Sequence, residues 1–322
     1  MAAVKLSLAV EHYDRNVPLL EGSVTIGGVD LEVLEVTQSL NQAGGGRHER
    51  MLKGEFGAAE ISLSSYLMAC DQGHKLTAVP AFPRRLFSPS LFWVAADSEL
   101  SGPQSLVGKR VAIASYQTSV SVLAKGDLEH EYGVPWKDIE WLTIGDELLP
   151  LSLPPGVRAE RAATRVSVAE LLLRGRVDAV LFPRLPSSLL AQGSRVRRLF
   201  PDGRAAEEAY FRSRGYWPIM HVVALQGDLA QSEPWLPRAV LDAFERARQH
   251  AASYYLDPNW SSLAWAQFYR EDEKAILGDP WVNGLAVNRK NITDFMGYSL
   301  EQGLIRAPLP FERLFHQSVL DS

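Results

Sequence analysis

The regular alternation of strand-like and helix-like runs is the feature that most constrains the fold of this chain. KLSLAV (5–10) and VDLEVLEV (29–36) have the apolar content and alternation of β-strands. VAELLLRG (168–175) predicts an amphipathic helix ended by a glycine, and VDAVLF (177–182) predicts the strand after it. This succession is typical of α/β proteins with largely parallel sheets. The 322 residues, 46% hydrophobic, suffice for two lobes with a core each.

The stretch FGAAEISLSSYL (56–67) predicts a junction between a strand and a helix, with polar side chains at the turn. AEIS (59–62) has the pattern of a brief buried strand. Ser64 or Ser65 is a natural N-cap for the helix that follows, because a serine oxygen can accept from a free backbone N–H. Gly73 is the expected end of that helix.

Glu60 interrupts the apolar run of this junction and has two interpretations. It either pairs with Arg50 or Lys53 of the preceding helix-like segment, or it handles a proton in a pocket. The sequence alone leaves both interpretations open.

Further strands and helices are predicted along the chain. LTAVPAF (76–82) predicts a strand, and its proline favours a sheet edge or a strand end. A strand at 110–114 precedes a helix that Ser115 or Thr118 is expected to cap. The segment 235–256 predicts a long helix.

Composition and charge exclude several classes of protein. The net charge of -5 argues against a nucleic-acid partner. The one cysteine, Cys70, forms no intramolecular disulfide and no CxxC metal motif. No apolar run reaches the roughly 20 residues that span a bilayer. No signal peptide follows Met1, so we expect a cytoplasmic protein without a membrane partner.

Three longer stretches resemble the layout of the type 2 periplasmic-binding-protein fold. They are LFWVAADSELSGPQSLVGKRVAIASYQT (91–118), VAELLLRGRVDAVLF (168–182) and the strand-like run at 220–229. The resemblance implies two lobes, each a mixed, mostly parallel sheet flanked by helices, with a cleft between them. Lobe 1 is then residues 1–92 plus 222–322, and lobe 2 is residues 93–221.

Within that fold, the chain looks like the 4,5-dihydroxyphthalate decarboxylase family over its whole length. FGAAEISLSSYL, VPAFPRRLFSPS, LPLSLPPGVRAER and WPIMHVVAL carry this resemblance together. It implies a carboxy-lyase of aromatic compound degradation and phthalate catabolism that needs no cofactor. Its reaction is the non-oxidative decarboxylation of a hydroxylated aromatic acid, most specifically 4,5-dihydroxyphthalate to protocatechuate and CO2. The chain departs from the family pattern at His12, Arg84 and Pro89.

The implied fold places polar side chains from several strand ends around one cleft. At the carboxyl ends of parallel strands, helix N-termini offer free N–H groups that hold carboxylates, and arginine binds a carboxylate with two hydrogen bonds. The predicted substrate-binding residues are Tyr13, Arg15, Ser62, Ser64, Ser65, Arg85, Tyr116, Gln117 and Arg184. His221 is the predicted acid/base catalyst, since imidazole suits proton transfer near neutral pH, and Glu60 is its partner carboxylate.

The alternatives to these roles are structural. His221 is as well explained as a hydrogen-bonded core histidine, and Arg85 can form an ordinary ion pair. His12, Asp14 and the two predicted catalytic residues lack local metal-ligand spacing, so no metal is assigned.

Two rival functions use the same cleft. One is a non-catalytic solute-binding protein for an aromatic or other small carboxylate, serving an importer or a sensor, and a leader upstream of Met1 would favour it. The other is a decarboxylase of a related hydroxybenzoate. In each case the partner is a small aromatic carboxylate, and the chain is compatible with a homo-oligomer.

Overall fold

The computed structural model of the chain describes residues 3–37, 46–162, 167–184 and 187–322. It divides into two compact units. Unit 1 comprises Met1–Arg85, Ile219–Ile292 and Pro308–Ser322, and unit 2 comprises Leu86–Pro218 and Thr293–Ala307. The divisions after Arg85 and before Ile219 lie a few residues from the predicted lobe boundaries, whereas Thr293–Ala307, which the prediction places in lobe 1, falls in unit 2. The lobe boundaries stay a prediction.

Strands and helices alternate along the described residues, as the sequence predicts. The strands are β1 (Val4–Val10), β2 (Val29–Glu35), β3 (Ala58–Ser62), β4 (Leu76–Arg85), β5 (Phe92–Ala95), β6 (Arg110–Ile113), β7 (Glu140–Thr143), β8 (Arg158–Arg161), β9 (Ala179–Leu181), β10 (Val196–Arg198) and β11 (Ile219–Gln226). The α-helices are α1 (Val17–Leu20), α2 (Arg47–Leu52), α3 (Leu63–Asp71), α4 (Ser119–His130), α5 (Val168–Leu173), α6 (Ser187–Leu190), α7 (Gly203–Arg214), α8 (Gly227–Ser232), α9 (Leu236–Tyr254), α10 (Ala266–Leu277), α11 (Leu285–Glu301) and α12 (Phe311–Leu314). None of the helices in the described ranges is both long and apolar enough to span a bilayer.

Unit 1 is built on a five-stranded mixed sheet with the order β2-β1-β3-β11-β4. β1 pairs in parallel with β2 and β3, whereas β11 runs antiparallel to β3 and β4. β3 is buried along its whole length, which explains its short run of apolar residues. Consequently the carboxyl ends of β1, β3 and β4 and the amino end of β11 lie at one edge of this sheet.

Unit 2 has a six-stranded mixed sheet with the order β10-β5-β9-β6-β7-β8. The three pairs among β9, β6, β7 and β8 are parallel, and the two pairs that involve β5 are antiparallel. Helix α5 packs on this sheet through Leu171 and Leu172, which join Val180 and Phe182 in a buried apolar cluster. The two mixed sheets flanked by helices confirm the predicted architecture of the units.

The structure confirms the predicted sheet edge and one predicted helix cap, and it contradicts the other helix cap. β4, which contains Pro80, is the last strand in the order of its sheet, as predicted. Thr118 caps α4, since its side chain accepts from the Ser121 amide. The assignment of Ser64 or Ser65 as the cap of α3 is wrong, because that helix begins at Leu63 and Ser62 is its N-cap residue.

Two helical glycines give a test of packing in unit 2. A Cβ built on Gly126 of α4 would overlap the ring of Tyr298, whereas one on Gly297 of α11 meets no atom within 4 Å. We expect Gly126→Ala to lower the free energy of unfolding by about 2 kcal/mol or more, because overpacking forces neighbours to shift. The matched control Gly297→Ala should be neutral or stabilise by roughly 0.5–1 kcal/mol through helix propensity. Urea unfolding followed by circular dichroism measures both, and equal stabilities of the two variants would contradict the packing.

Candidate active site

The edge of the unit 1 sheet brings together polar residues that lie far apart in the sequence. His221 at the start of β11 lies directly opposite Ser62 of β3 and Arg84 of β4. Side chains of directly opposite residues share a face of the sheet, and Glu60 shares that face because it is two residues from Ser62. The pairing of β11 with β4 is irregular on both sides of His221, as is common beside active sites.

Glu60 and His221 form a buried hydrogen-bonded pair. The distance from His221 Nδ1 to Glu60 Oε1 is 2.5 Å. The Glu60 side chain has no exposed surface, and the His221 side chain is 7% exposed. The second carboxylate oxygen of Glu60 accepts from the Glu11 amide at 3.2 Å. The geometry therefore joins the two residues that the sequence predicts as catalytic, although their catalytic role stays a prediction.

Arg47 fixes the position of this pair from the first turn of α2. Its guanidinium is fully buried, and its Nε donates to the Glu60 carbonyl oxygen at 2.8 Å. Its Nη1 donates to the Glu11 carboxylate at 3.2 Å and to the Val36 carbonyl oxygen, and its Nη2 lies 3.4 Å from Glu60 Oε1. Arg47 thus supplies the positive charge that a buried carboxylate requires.

The predicted structural partners of Glu60 were the wrong residues of this helix. Arg50 pairs with Glu55 and Lys53 pairs with Glu49, each at 2.7 Å. Arg50 and Lys53, the C-cap residue of α2, are not buried, whereas Arg47 is buried in the first turn of this helix.

The protonation states of the pair follow from its surroundings. Burial opposes ionisation of Glu60, but the Arg47 charge and the hydrogen bond from His221 together hold the pKa of Glu60 well below its usual range. Burial lowers the pKa of His221 to about 4, even though Glu60 acts in the other direction, and Arg84 and Arg47 add to the lowering. At neutral pH, His221 is therefore a neutral imidazole that donates Nδ1–H to an ionised Glu60. Its Nε2 carries the lone pair and can accept a proton.

His48 is a second buried histidine beside His221 that the sequence analysis missed. The two ring centroids are 5.1 Å apart and the ring planes are nearly perpendicular. Burial, followed by the charges of His221 and Arg47, lowers the pKa of His48 well below its usual value. A lone histidine in a six-residue helix has no spacing signature, and its neighbour Arg47 gives no local signal of burial.

Tyr13 and Arg84 also face the pair. Burial, with the charge of Glu60 next, raises the pKa of Tyr13 to about 12, so its hydroxyl stays protonated. This hydroxyl is buried and has no hydrogen-bond partner among the described residues. The positive charge of Arg84 lowers the proton affinity of both His221 and His48.

Arg15 and Arg85, the two arginines of unit 1 that the sequence predicts to bind substrate, are held by protein groups. Arg15 donates to the Pro83 carbonyl oxygen at 2.6 Å, and its guanidinium lies 3.7 Å from the Trp281 ring centre. Arg85 donates to the Val282 carbonyl oxygen at 3.0 Å and to Asn288 Oδ1 at 2.8 Å. These contacts give both residues a structural role, and their role in binding substrate stays a prediction.

The remaining predicted binding residues occupy other places in the two units. Ser64 and Ser65 are buried in the first turn of α3, which follows Ser62 directly. In unit 2, Tyr116 and Gln117 are buried, and their backbone amides donate to the Glu147 carboxylate at 2.6 and 3.0 Å.

Arg184 is exposed, three residues after the end of β9. The placement of all these residues around one cleft between lobes remains a prediction from the sequence. Within the described ranges, no group of three or more histidine, cysteine, aspartate or glutamate side chains is arranged to hold a metal ion.

The fold has well-defined relatives among solved structures. A putative sulfonate ABC transporter periplasmic sulfonate-binding protein, SsuA from Methylobacillus flagellatus, superposes with a TM-score of 0.59 at 13% identity. The superposition covers 99% of this chain and 93% of that chain. The chain therefore has the periplasmic-binding-protein fold, as predicted, here with a buried carboxylate–histidine pair at the edge of one sheet.

Sequence comparison identifies the family. No protein-family model matches the chain. A 4,5-dihydroxyphthalate decarboxylase of Comamonas testosteroni is 32% identical over 333 aligned residues, which cover 100% of this chain and 99% of that relative. A second one, of Pseudomonas putida, is 30% identical over 224 residues, 67% of this chain and 84% of the relative. The chain belongs to the 4,5-dihydroxyphthalate decarboxylase family and is a carboxy-lyase, as the motifs predict.

The lowered pKa of His221 predicts acid sensitivity of the fold. The folded protein protonates His221 only near pH 4, whereas the unfolded chain does so near pH 6.5. Between these values the unfolded state binds more protons, so the free energy of unfolding should decrease as the pH falls from 6.5 toward 4. His48 acts in the same direction.

A histidine NMR titration, combined with urea unfolding between pH 7 and 4, measures this effect. The variant His221→Asn should show a weaker dependence of stability on pH than the wild type. Titration of His221 at or above pH 6.5 would contradict the assigned protonation states.

Proposed function

We propose that this enzyme decarboxylates 4,5-dihydroxyphthalate to protocatechuate and CO2, with His221 as the proton carrier and Glu60 as its partner. The observation that carries this proposal is the buried Glu60–His221 hydrogen bond of 2.5 Å in a chain of this family. The substrate comes from the names of the two relatives, and loss of one of its carboxylates as CO2 gives protocatechuate.

The chemistry needs a proton at the ring carbon that bears the departing carboxylate. A hydroxyl para to that carbon releases electrons into the ring, most strongly when its own proton is lost. The carbon then takes a proton, the bond to the carboxylate breaks, its electron pair returns to the ring, and CO2 leaves. The net reaction consumes one proton and transfers no electrons to an external acceptor, so its balance requires no redox cofactor.

The state of His221 fits the role of proton donor. In the free site the imidazole is neutral, with a pKa of about 4. A dianionic substrate beside it would raise this pKa, because a nearby negative charge favours the imidazolium form. The imidazolium then delivers its Nε2 proton to the ring carbon and is reprotonated from solvent.

Glu60 and Arg47 position this histidine. Glu60 accepts from Nδ1, which fixes the tautomer and directs Nε2 away from the carboxylate. Arg47 keeps Glu60 ionised, so that the carboxylate also stabilises the imidazolium when it forms.

Substitution of the two residues tests the proposed chemistry. We expect His221→Gln to reduce kcat at least about 100-fold, the usual contribution of a positioned acid/base group. Glu60→Gln should also reduce kcat, because a neutral amide no longer stabilises the imidazolium. The matched control is His74→Gln, since His74 is exposed in unit 1. The measurement is release of CO2 and protocatechuate from 4,5-dihydroxyphthalate, with circular dichroism as a check of folding.

Two outcomes would contradict the proposal. Near-normal turnover by folded His221→Gln would reject the role of His221. Absence of turnover by the wild type, with and without added divalent metal, would reject the reaction itself.

A further inference from the structure

Two polar groups close to the Glu60–His221 pair are available for a ligand. Within the described part of the chain, no hydrogen bond or ion pair reaches the guanidinium of Arg84, and the buried Tyr13 hydroxyl has no hydrogen-bond partner. Buried polar groups in native proteins are nearly always satisfied, so the unpartnered Tyr13 hydroxyl at the edge of the site points to a ligand.

The position of Arg84 relative to His221 is set by the sheet. The two residues are direct partners on neighbouring antiparallel strands, which places their Cβ atoms about 4.5–5.5 Å apart on one face. Arg84 and Arg85 are consecutive in β4, so their side chains leave the strand on opposite faces. Arg85 is hydrogen-bonded to Val282 and Asn288, whereas Arg84 is half-buried and its positive charge is close enough to favour a lower pKa of His221, His48 and Tyr13.

We propose that Arg84, together with the Tyr13 hydroxyl, binds the carboxylate that the substrate retains, and thereby makes the enzyme selective for aromatic acids with two adjacent carboxylates. This inference rests on the proposed function. A guanidinium donates two parallel hydrogen bonds to a carboxylate, and a protonated phenol can add a third.

The charge of Arg84 indicates which of the two carboxylates it binds. The departing carboxylate loses its negative charge when it becomes CO2, so a cation bound to it would stabilise the ground state more than the transition state. A cation bound to the retained carboxylate carries no such penalty. Because the two carboxylates are on neighbouring ring carbons, binding of one at Arg84 places the other carbon beside His221.

This arrangement also explains why the reaction would stop after one CO2. Protocatechuate has a single carboxylate, which stays on Arg84 and leaves no carboxylate beside His221. Hydroxybenzoates with one carboxylate should therefore be poor substrates, which separates this enzyme from a hydroxybenzoate decarboxylase.

Binding of phthalate tests the inference without turnover, because phthalate has both carboxylates but no hydroxyl to release electrons into the ring. In isothermal titration calorimetry, we expect Arg84→Gln to weaken phthalate binding roughly 10-fold to 100-fold, as for loss of a hydrogen bond to a charged group. Tyr13→Phe should weaken it by a smaller factor, and Arg84→Lys should retain part of the affinity. The matched control Arg246→Gln, at an exposed arginine of α9, should bind like the wild type.

A second readout reports the charge of Arg84 rather than the stability of the fold. The groups around His221 are Glu60 from β3, Arg47 and His48 from α2, and Arg84 from β4, and Tyr13 after β1 lies close to Glu60 and Arg84. Removing the charge of Arg84 should raise the NMR-measured pKa of His221, whereas Arg246→Gln should leave it unchanged.

The outcomes separate this inference from the proposed function. Two results would overturn the role of Arg84 even if 4,5-dihydroxyphthalate is decarboxylated. One is wild-type affinity of folded Arg84→Gln for phthalate, and the other is release of CO2 from protocatechuate by the wild type. Binding of phthalate that depends on Arg84, without turnover of 4,5-dihydroxyphthalate, would support the inference and reject the proposed reaction.

Discussion

The buried guanidinium of Arg47 is the interaction on which the candidate site depends. Glu60 has no exposed surface, and a carboxylate in that position is ionised only when charge and hydrogen bonds compensate its desolvation. Arg47 supplies this compensation and also binds Glu11 and two backbone carbonyl groups, which joins β3, α2 and the end of β1. An ionised Glu60 in turn sets the tautomer of His221 and therefore the atom at which a proton can be exchanged.

Much of this arrangement follows from features that are visible in the sequence. Strand–helix alternation predicts a sheet whose strand ends collect polar residues, and AEIS at 59–62 identifies the buried strand that carries Glu60. The resemblance over the whole chain places His221 at the re-entry to the same sheet. The antiparallel pairing of β11 with β3 then brings His221 opposite Ser62 and within reach of Glu60.

The part of the site that the sequence does not predict depends on which face of its strand or helix a side chain occupies. A difference of one residue decides the face. The sequence predicts Arg85 as a substrate-binding residue and gives Arg84 only as a departure from the family pattern, but strand alternation directs the two side chains to opposite faces. The irregular pairing around His221 that fixes their register has no sequence signal. In α2 the same applies to Arg47 and Arg50, because the short helix has too few turns for its buried side to be read from periodicity.

In the proposed arrangement, a single face of the unit 1 sheet holds both the anion of the substrate and its proton donor. A crystal structure of the enzyme with phthalate tests this arrangement. We expect one carboxylate of phthalate on the Arg84 guanidinium, with the adjacent ring carbon about 3–3.5 Å from His221 Nε2, the separation of reacting atoms in a near-attack arrangement. Phthalate bound away from His221, or a Glu60–His221 contact that is absent in the complex, would contradict it.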